Sequence, residues 1–483
     1  MRRAAAALAA VWAVSATAQV ISQGSPGGAT VAADAAAPDN QTATGGDWSA
    51  NDFLTGGKAG TMVRSSYFNR TKPNENGPAA EAWGLGGWLY GETGELAKML
   101  SFGGAYYYVA PLYAPDDGGG NFILKDPGQD GYGVLGEAWV RLRYGDNALT
   151  VGRQALSFGW SLDGIYRTYN RFDGSFIGRR DVRAMLPLDF ESANVAGKLA
   201  NDTFRYYGGY AWLMRQVNAD KFDNLSTAAF LPEEDSAGMS FIGAQWKITN
   251  DLMLQGSYHS VQNLAHLGIV DLDSVYRMGE GRYLRFDTQY IYQSSNRPGL
   301  PPTPSSANAV SLYGTAQDPT GDISTWNWAG YFEARWWQWW IPYAMIGVTS
   351  DHDEIRSPYS LGPSYLVQRI GENAKAGEHT WIIGSTFDFA SLKVPGLSFD
   401  ATYGQRTHRH VQLDSSKPLA QWDELATDLI YSVPDGWAKG LRLRARWARV
   451  WETGNQYTNG EIIDISQQTT DLRFDLQWLI PFK

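Results

Sequence analysis

Near the C-terminal end, Leu472, Phe474, Leu476, Trp478, Ile480 and Phe482 alternate with Asp471, Arg473, Asp475 and Gln477. Side chains on an extended backbone point to opposite faces in turn, so this stretch is a strand with one greasy and one polar surface. One such strand would suit a soluble sandwich. Many segments of the same grammar precede this one, and it closes on an aromatic residue, followed only by Lys483. That series predicts an all-β chain, a transmembrane antiparallel β-barrel with lipid outside and water inside.

The other end carries an address that agrees. Met1-Arg2-Arg3 is a short positive start, residues 4–14 are apolar and alanine-rich, and Ala16-Thr17-Ala18 offers an A-x-A cleavage site. Residues 1–18 therefore read as a signal peptide, with the mature chain starting at Gln19 in the outer membrane of a Gram-negative bacterium. The apolar run is too short for a spanning helix, and no later stretch is long enough. Absence of cysteine excludes a lipidated N-terminus, disulfides and thiolate metal sites together. The 20 Trp, 26 Tyr and 19 Phe supply more aromatic surface than a soluble chain of this size needs, and girdles at the two lipid boundaries would use it. The 53 Gly suit a sheet that curves and turns often. Net charge is −10, falling to −12 once Arg2 and Arg3 are removed, which argues against a nucleic-acid partner. Outer-membrane lipids are the expected surroundings.

Residues 19–57 are rich in Ala, Gly, Thr and Asp without periodicity and read as a flexible periplasmic leader. A single barrel domain is expected over residues 58–483. Alternation places strands near 60–69, 81–91, 99–109, 132–144, 149–154, 192–199, 203–214, 239–248, 251–261, 267–278, 282–293, 324–336, 339–349, 380–391, 397–406, 423–433, 441–450 and 470–482. That is about eighteen, an even number as single-chain bacterial barrels have. Short turns such as Gly145-Asp146 alternate with long polar loops over 110–131, 215–238, 294–323 and 350–379. Periplasmic turns are short and outer loops long in such barrels.

Arginine at every second position marks Leu441-Arg442-Leu443-Arg444-Ala445-Arg446-Trp447. Roughly 6.6 Å separates successive guanidinium groups on one face of a strand. An arginine at mid-bilayer on the lipid side costs about 2–4 kcal/mol, so all three must face water. Trp139-Val140-Arg141-Leu142-Arg143 repeats the device. Arg64, Arg473 and Asp428 are further pore-lining candidates on polar strand faces. Such rows can offer an anion repeated bidentate footholds. They can equally pair with Glu424, Asp428, Asp471 and Asp475 and brace the wall.

Weaker candidates are His408 and His410 as a metal pair, Asp351-His352-Asp353-Glu354 as a cation site, and Ser257 with His259 on one strand face. None has enough companions for a metal or catalytic site, so no cofactor, metal or enzyme chemistry is expected. Trp336-Trp337-Gln338-Trp339-Trp340 suits an aromatic belt at a tight turn.

The loop over 155–189 holds Arg167, Arg171, Arg179, Arg180, Asp181 and Arg183, too polar for lipid, so it either waves outside or folds into the lumen. Here the chain resembles the OprD family of substrate-selective outer-membrane porins. The resemblance runs from Arg64-Ser65-Ser66-Tyr67-Phe68-Asn69-Arg70 through Thr150-Val151-Gly152, Asp181-x-Arg183 and Leu186-Pro187. It returns at Val394-Pro395-Gly396-Leu397, Asp423-Glu424 and Gly440-Leu441-Arg442-Leu443-Arg444-Ala445-Arg446. It implies an eighteen-stranded barrel with inward-folded loops, Asp181 and Arg183 at the constriction, and passage of amino acids, small peptides or carboxylates. Anionic or zwitterionic solutes are the implied partners, for a monomer or a homotrimer. The alternatives are a transporter of hydrophobic or aromatic compounds, or an outer-membrane enzyme or adhesin.

Overall fold

The computed structural model describes residues 50–482 apart from 73–79, 117–122, 126–127, 157–184, 201–202, 226–237, 263–264, 280, 297–322, 338, 356–363, 365, 372–374, 412–413 and 459. A short helix, α1 (Ala50–Thr55), precedes the first strand. The strands are β1 (Lys58–Thr71), β2 (Ala80–Glu92), β3 (Leu100–Tyr113), β4 (Tyr132–Tyr144), β5 (Asn147–Gln154), β6 (Asp189–Leu199) and β7 (Phe204–Arg215). Next come β8 (Met239–Thr249), β9 (Leu252–Val261), β10 (Ala265–Arg277), β11 (Tyr283–Ser295), β12 (Ser324–Arg335), β13 (Trp340–Thr349), β14 (His379–Asp388) and β15 (Leu397–Thr407). The last are β16 (His410–Val411), β17 (Asp414–Pro418), β18 (Gln421–Ser432), β19 (Arg442–Thr458) and β20 (Glu461–Pro481).

Eighteen of these form one antiparallel sheet, and β16 with β17 make a separate hairpin on its outer rim. Pairing of β1 with β20, from Gly60 opposite Pro481 to Thr71 opposite Thr470, closes the barrel. Closure leaves the sheet no unpaired edge within the bilayer, where an orphaned backbone group could find no water.

Strand β10 shows how the sequence decides which way the sheet faces. Asp271 and Asp273 are buried toward the lumen, whereas Val270 and Leu272 are exposed toward lipid. This inverts the soluble pattern, because the greasy face here has the bilayer as its partner. Each expected strand has a counterpart. Two hairpins depart from expectation, β16 with β17, between expected strands, and β19 with β20. β19 and β20 continue past the barrel rim as a ribbon, paired out to Thr458 opposite Glu461. Both faces of that ribbon lie outside the bilayer, so no lipid demands alternation there. Helix α1 occupies the end of the segment read as a flexible leader; the Phe53 carbonyl accepts from the Gly94 amide at 2.8 Å, and its ring meets Phe102 edge-on.

Short connections lie at the end holding both ends of the sheet, and the longest lie opposite. Two outer links are short as well, residues 262–264 between β9 and β10 and 459–460 between β19 and β20. Loops also enter the barrel. Ile123 and Leu124 from the β3–β4 loop and Met185 and Leu186 from the β5–β6 loop pack with Met62, Phe68, Trp88 and Tyr107 on the inner wall. Asp189 and Arg215 pair at 2.6 Å with both side chains fully buried, and Arg215 also donates to the carbonyls of Gln216 and Ala219. The ends of two loops are thereby tied to each other.

Part of the β13–β14 connection, expected as an outer loop, instead folds against the inner wall. Gln368 donates to the Glu424 carbonyl, and the Ile370 and Gly371 amides donate to the Glu424 carboxylate at 2.9 Å. One glycine is obligatory on geometry. Gly87 has φ +141°, and a Cβ there would stand 1.8 Å from the Met62 carbonyl oxygen.

Candidate functional site: the luminal arginine row

On β19 the period of two turns Leu443 outward, 42% exposed, and Arg442, Arg444 and Arg446 inward. Backbone register sets Arg442 opposite Gln477, Arg444 opposite Asp475 and Arg446 opposite Arg473. Gln477 in turn lies opposite Arg64 on β1. Over this span β19, β20 and β1 bring together six arginines (Arg64, Arg70, Arg442, Arg444, Arg446 and Arg473) and two aspartates (Asp471 and Asp475). Sequence spacing put the arginines on one face; register brought three strands' worth to one wall.

Most of these guanidiniums are engaged. Arg444 grips Asp428 of β18 through Nε at 2.8 Å to both carboxylate oxygens, and through Nη2. Arg446 pairs with Asp475 at 2.5 Å, and Ser66 also donates to Asp475. Asp471 holds Arg473 and Arg70, each at 2.8 Å. Arg64 donates to the Met185 carbonyl at 3.1 Å, tying the row to the β5–β6 loop. Arg442 differs: its side chain makes no ion pair or hydrogen bond among the described residues, and its buried Nε has no partner.

The pairs are diagonal. Asp428 stands opposite Arg446 in register yet binds Arg444, while Arg446 reaches Asp475, which stands opposite Arg444. Each carboxylate therefore links two strands at different heights.

On β4, Val140 and Leu142 face outward and Arg141 and Arg143 inward. Arg141 lies 4.2 Å over the Trp139 ring and 3.3 Å from Glu92; Arg143 pairs with Glu95 at 3.0 Å. These two are separated from the β19 row by intervening strands and form a second group. Asp181 and Arg183 lie outside the described residues.

β10 is nine strands around the barrel from β1, so Asp271, Asp273 and, on β11, Asp287 line the wall facing the arginines. Arg285 neutralises Asp273 at 2.8 Å. A basic wall facing an acidic wall sets a transverse field across the lumen, where low-dielectric sides focus it.

A family profile described as outer membrane porin, OprD family, matches residues 202–464, more than half of the chain. The chain belongs to the OprD family. No curated protein matches it in sequence. Solved structures similar to it include OccK9 (OpdG) of Pseudomonas aeruginosa, 17% identical with TM-score 0.68, covering 89% of this chain and 99% of that one. OpdK of the same organism, solved with vanillate, is 17% identical with TM-score 0.68, covering 89% and 100%. OccAB1 of Acinetobacter baumannii is 14% identical with TM-score 0.71, covering 89% and 97%. At these identities the likeness concerns the fold. An OprD-family barrel is an outer-membrane channel of Gram-negative bacteria, and the hydrophobic-transporter reading is not favoured.

This OprD-family porin holds luminal residues that sequence reasoning missed. Arg369, on the inward part of the β13–β14 connection, reaches Asp428 and adds a further guanidinium to the arginine wall. Arg406 on β15 is buried between Glu378 at 3.5 Å and Glu424 at 3.7 Å. Arg406 sits on an alternating strand, Ala401–Thr407, and its inward parity with Thr402 was available in the sequence; Arg369 had no such signal.

The weaker candidates come apart. His408 stands at a left-handed bend, φ 58°, with its ring tilted against that of His379 at 4.6 Å, while His410 turns toward Asp351 at 3.9 Å. The two imidazoles expected on one strand face therefore do not form a pair. Asp353 accepts from the Glu354 amide and Glu354 pairs with Lys375, so these carboxylates serve the loop. Among the described residues no three metal-ligating side chains gather. Ser257 and His259 share the inner face of β9, both buried. Trp337 and Trp340 stack at 5.3 Å across the periplasmic β12–β13 turn, with Trp336 and Trp339 exposed beside them.

Proposed function

We propose that this porin passes small anionic solutes, carboxylates first, by passive diffusion along the β19 arginine row. The carrying observation is Arg442. It is a guanidinium on the luminal face, flanked by arginines already satisfied by carboxylates, and it makes no ion pair among the described residues. A carboxylate passing the row meets one donor fork ready for bidentate contact rather than three. Weak, repeated contact lets a solute enter and leave. The capture of vanillate by the similar OpdK supports a carboxylate as the solute class, since vanillate is itself one.

Single-channel recording tests the reading. Arg442→Gln is expected to lower the anion-to-cation permeability ratio and slow uptake of carboxylates in vesicles, with folding intact. Unchanged ion preference and unchanged carboxylate uptake in folded Arg442→Gln would overturn the reading while leaving the family assignment in place.

A further inference from the structure

Toward the outer end, the lipid-facing side of the barrel turns polar along one line. Backbone register sets Trp381 on β14 opposite Gln405 on β15, and Gln405 opposite Asp423 on β18. Asp423 in turn stands opposite Trp451 on β19, and Trp451 opposite Gln468 on β20. All five point away from the lumen, because their chain neighbours Ile382, Arg406, Glu424, Val450 and Thr469 are buried on the inner side. Strands about 4.8 Å apart make this a row of roughly 19 Å. Just below it, toward the periplasm, the same outward faces carry Ile383, Ala401, Leu425, Trp447 and Leu472. The row therefore begins where the apolar band stops.

Two opposite charges on this face do not pair. Arg449 lies two residues before Trp451, the register partner of Asp423, so the two are diagonal neighbours within reach of a long side chain. Asp423 instead takes neutral donors, from Tyr403 at 3.0 Å and from Gln405 and Gln421 at 2.9 Å. Arg449 donates to Gln468 through Nη2 and lies 5.4 Å over the Trp451 ring, while its Nε has no partner. At the other end of the row Trp381 is 38% exposed, donates to Gln405 at 3.3 Å and meets the Tyr403 ring edge-on. A carboxylate, a guanidinium and three amides thus face outward between two indoles.

We propose that this row binds the phosphorylated sugar head group of one lipopolysaccharide molecule of the outer leaflet. Arg449 takes a phosphate, which its planar fork of donors fits. Asp423, already oriented by three neutral donors, accepts from sugar hydroxyls and keeps the phosphate at the arginine end. Trp451 and Trp381 offer flat apolar faces to the sugar rings, each with an N–H at its edge. The acyl chains then run down over Leu425, Trp447 and Leu472. Position selects this occupant: luminal solutes do not reach outward side chains, and phospholipids of the inner leaflet meet the opposite end of the barrel. A second copy of this chain fits poorly, because the middle of a protein interface is depleted of charge and here it is Asp423 among glutamines. The site is independent of the anion reading of the lumen.

Native mass spectrometry of the detergent-purified porin tests the site with three probes: deep-rough lipopolysaccharide, the same glycolipid stripped of its phosphates, and phosphatidylglycerol. Wild type should bind the intact glycolipid about tenfold more tightly than the dephosphorylated form, as expected for a charge-assisted contact. Arg449→Gln should lose about tenfold for the intact form and nothing for the dephosphorylated one. Asp423→Asn should weaken both forms alike. Arg449→Lys, which keeps the charge without the fork, should fall between Arg449→Gln and wild type. Folding is checked by heat-modified gel mobility. If Arg449→Gln does not assemble, the wild-type comparison of intact and dephosphorylated glycolipid carries the test. Equal binding of those two forms, phosphatidylglycerol bound as tightly as lipopolysaccharide, or dimers and trimers that take up no glycolipid would each overturn the site. So would a folded Arg449→Gln that binds the intact glycolipid as wild type does.

Discussion

Replacing Asp428 by Asn separates bracing from conduction. Asp428 is 1% exposed and is held by Arg444 through Nε and Nη2 and by Arg369 from the inward β13–β14 segment. Removing its charge takes the shared carboxylate from two cations in a confined wall. Breaking a buried ion pair costs about 3–5 kcal/mol. Arg444 keeps some access to luminal water, with 9% of its side chain exposed, so the lower end, about 3 kcal/mol, is expected. The inward segment should stay seated, because Glu424 still accepts from the Ile370 and Gly371 amides. The lumen gains one net positive charge, so anion preference should rise while stability falls. Arg442→Gln should do the opposite: stability within about 0.5 kcal/mol of wild type, as for a substitution that breaks no pair, and anion preference reduced. Urea unfolding in phospholipid vesicles, followed by Trp fluorescence and gel mobility, gives the first quantity; reversal potential gives the second. Asp428→Asn/Arg444→Gln should recover part of the loss, with a coupling energy of at least about 1 kcal/mol. The reasoning is refuted if Asp428→Asn is as stable as wild type, or if Arg442→Gln destabilises as much as Asp428→Asn.

Gly87→Ala should cost more than about 1 kcal/mol and slow assembly, since the added Cβ meets the Met62 carbonyl at a positive φ; refolding yield against Gly91→Ala, where nothing stands within 4 Å, is the comparison. Lys125 bridges the β3–β4 and β7–β8 loops to Asp220, and its hydrogen bond holds the Asp220 carboxyl below the usual range. A depressed carboxylate contributes above its unfolded pKa, about 3.9, and loses that contribution as pH falls through the lowered value. The pair is over a third exposed and worth only about 0–1 kcal/mol, so acid should loosen the loops without unfolding the barrel; Asp220→Asn should show the same protease sensitivity at neutral pH. Deleting residues 167–180 should raise conductance, because the described end of that loop, Met185 and Leu186, is packed inside the lumen. Unchanged conductance in a folded deletion would put residues 167–180 outside the path.

The barrel was legible because lipid imposes a strict period. Val270, Leu272 and Leu443 must face outward, and every residue between them inherits the lumen. Where lipid stops, legibility stops: the outer ribbon of β19 and β20 runs through Trp451, Glu452, Thr453 and Gly454 without alternation and read as loop. The arginine row was legible as a face but not as a set of contacts. Pairing depends on register and tilt, and the diagonal choice of Arg444 for Asp428 cannot be seen in either strand alone. Arg369 was invisible for a related reason, since a loop that folds inward has no period to announce its direction.

The pairing pattern bears on how such a wall can conduct. Three unmatched guanidiniums about 6.6 Å apart would hold a carboxylate too long and strain the sheet through like-charge repulsion. Asp428 and Asp475 remove both difficulties at Arg444 and Arg446, and the diagonal links stitch β18, β19 and β20 together at the point of greatest charge. Arg442 is left at the periplasmic start of β19, beside Gln477, a neutral residue that can neither quench it nor repel an anion. On the proposed anion reading, bracing and transport are successive positions on one strand: the carboxylates stiffen the wall where the charges crowd, and the excess cation stands at the periplasmic start of β19.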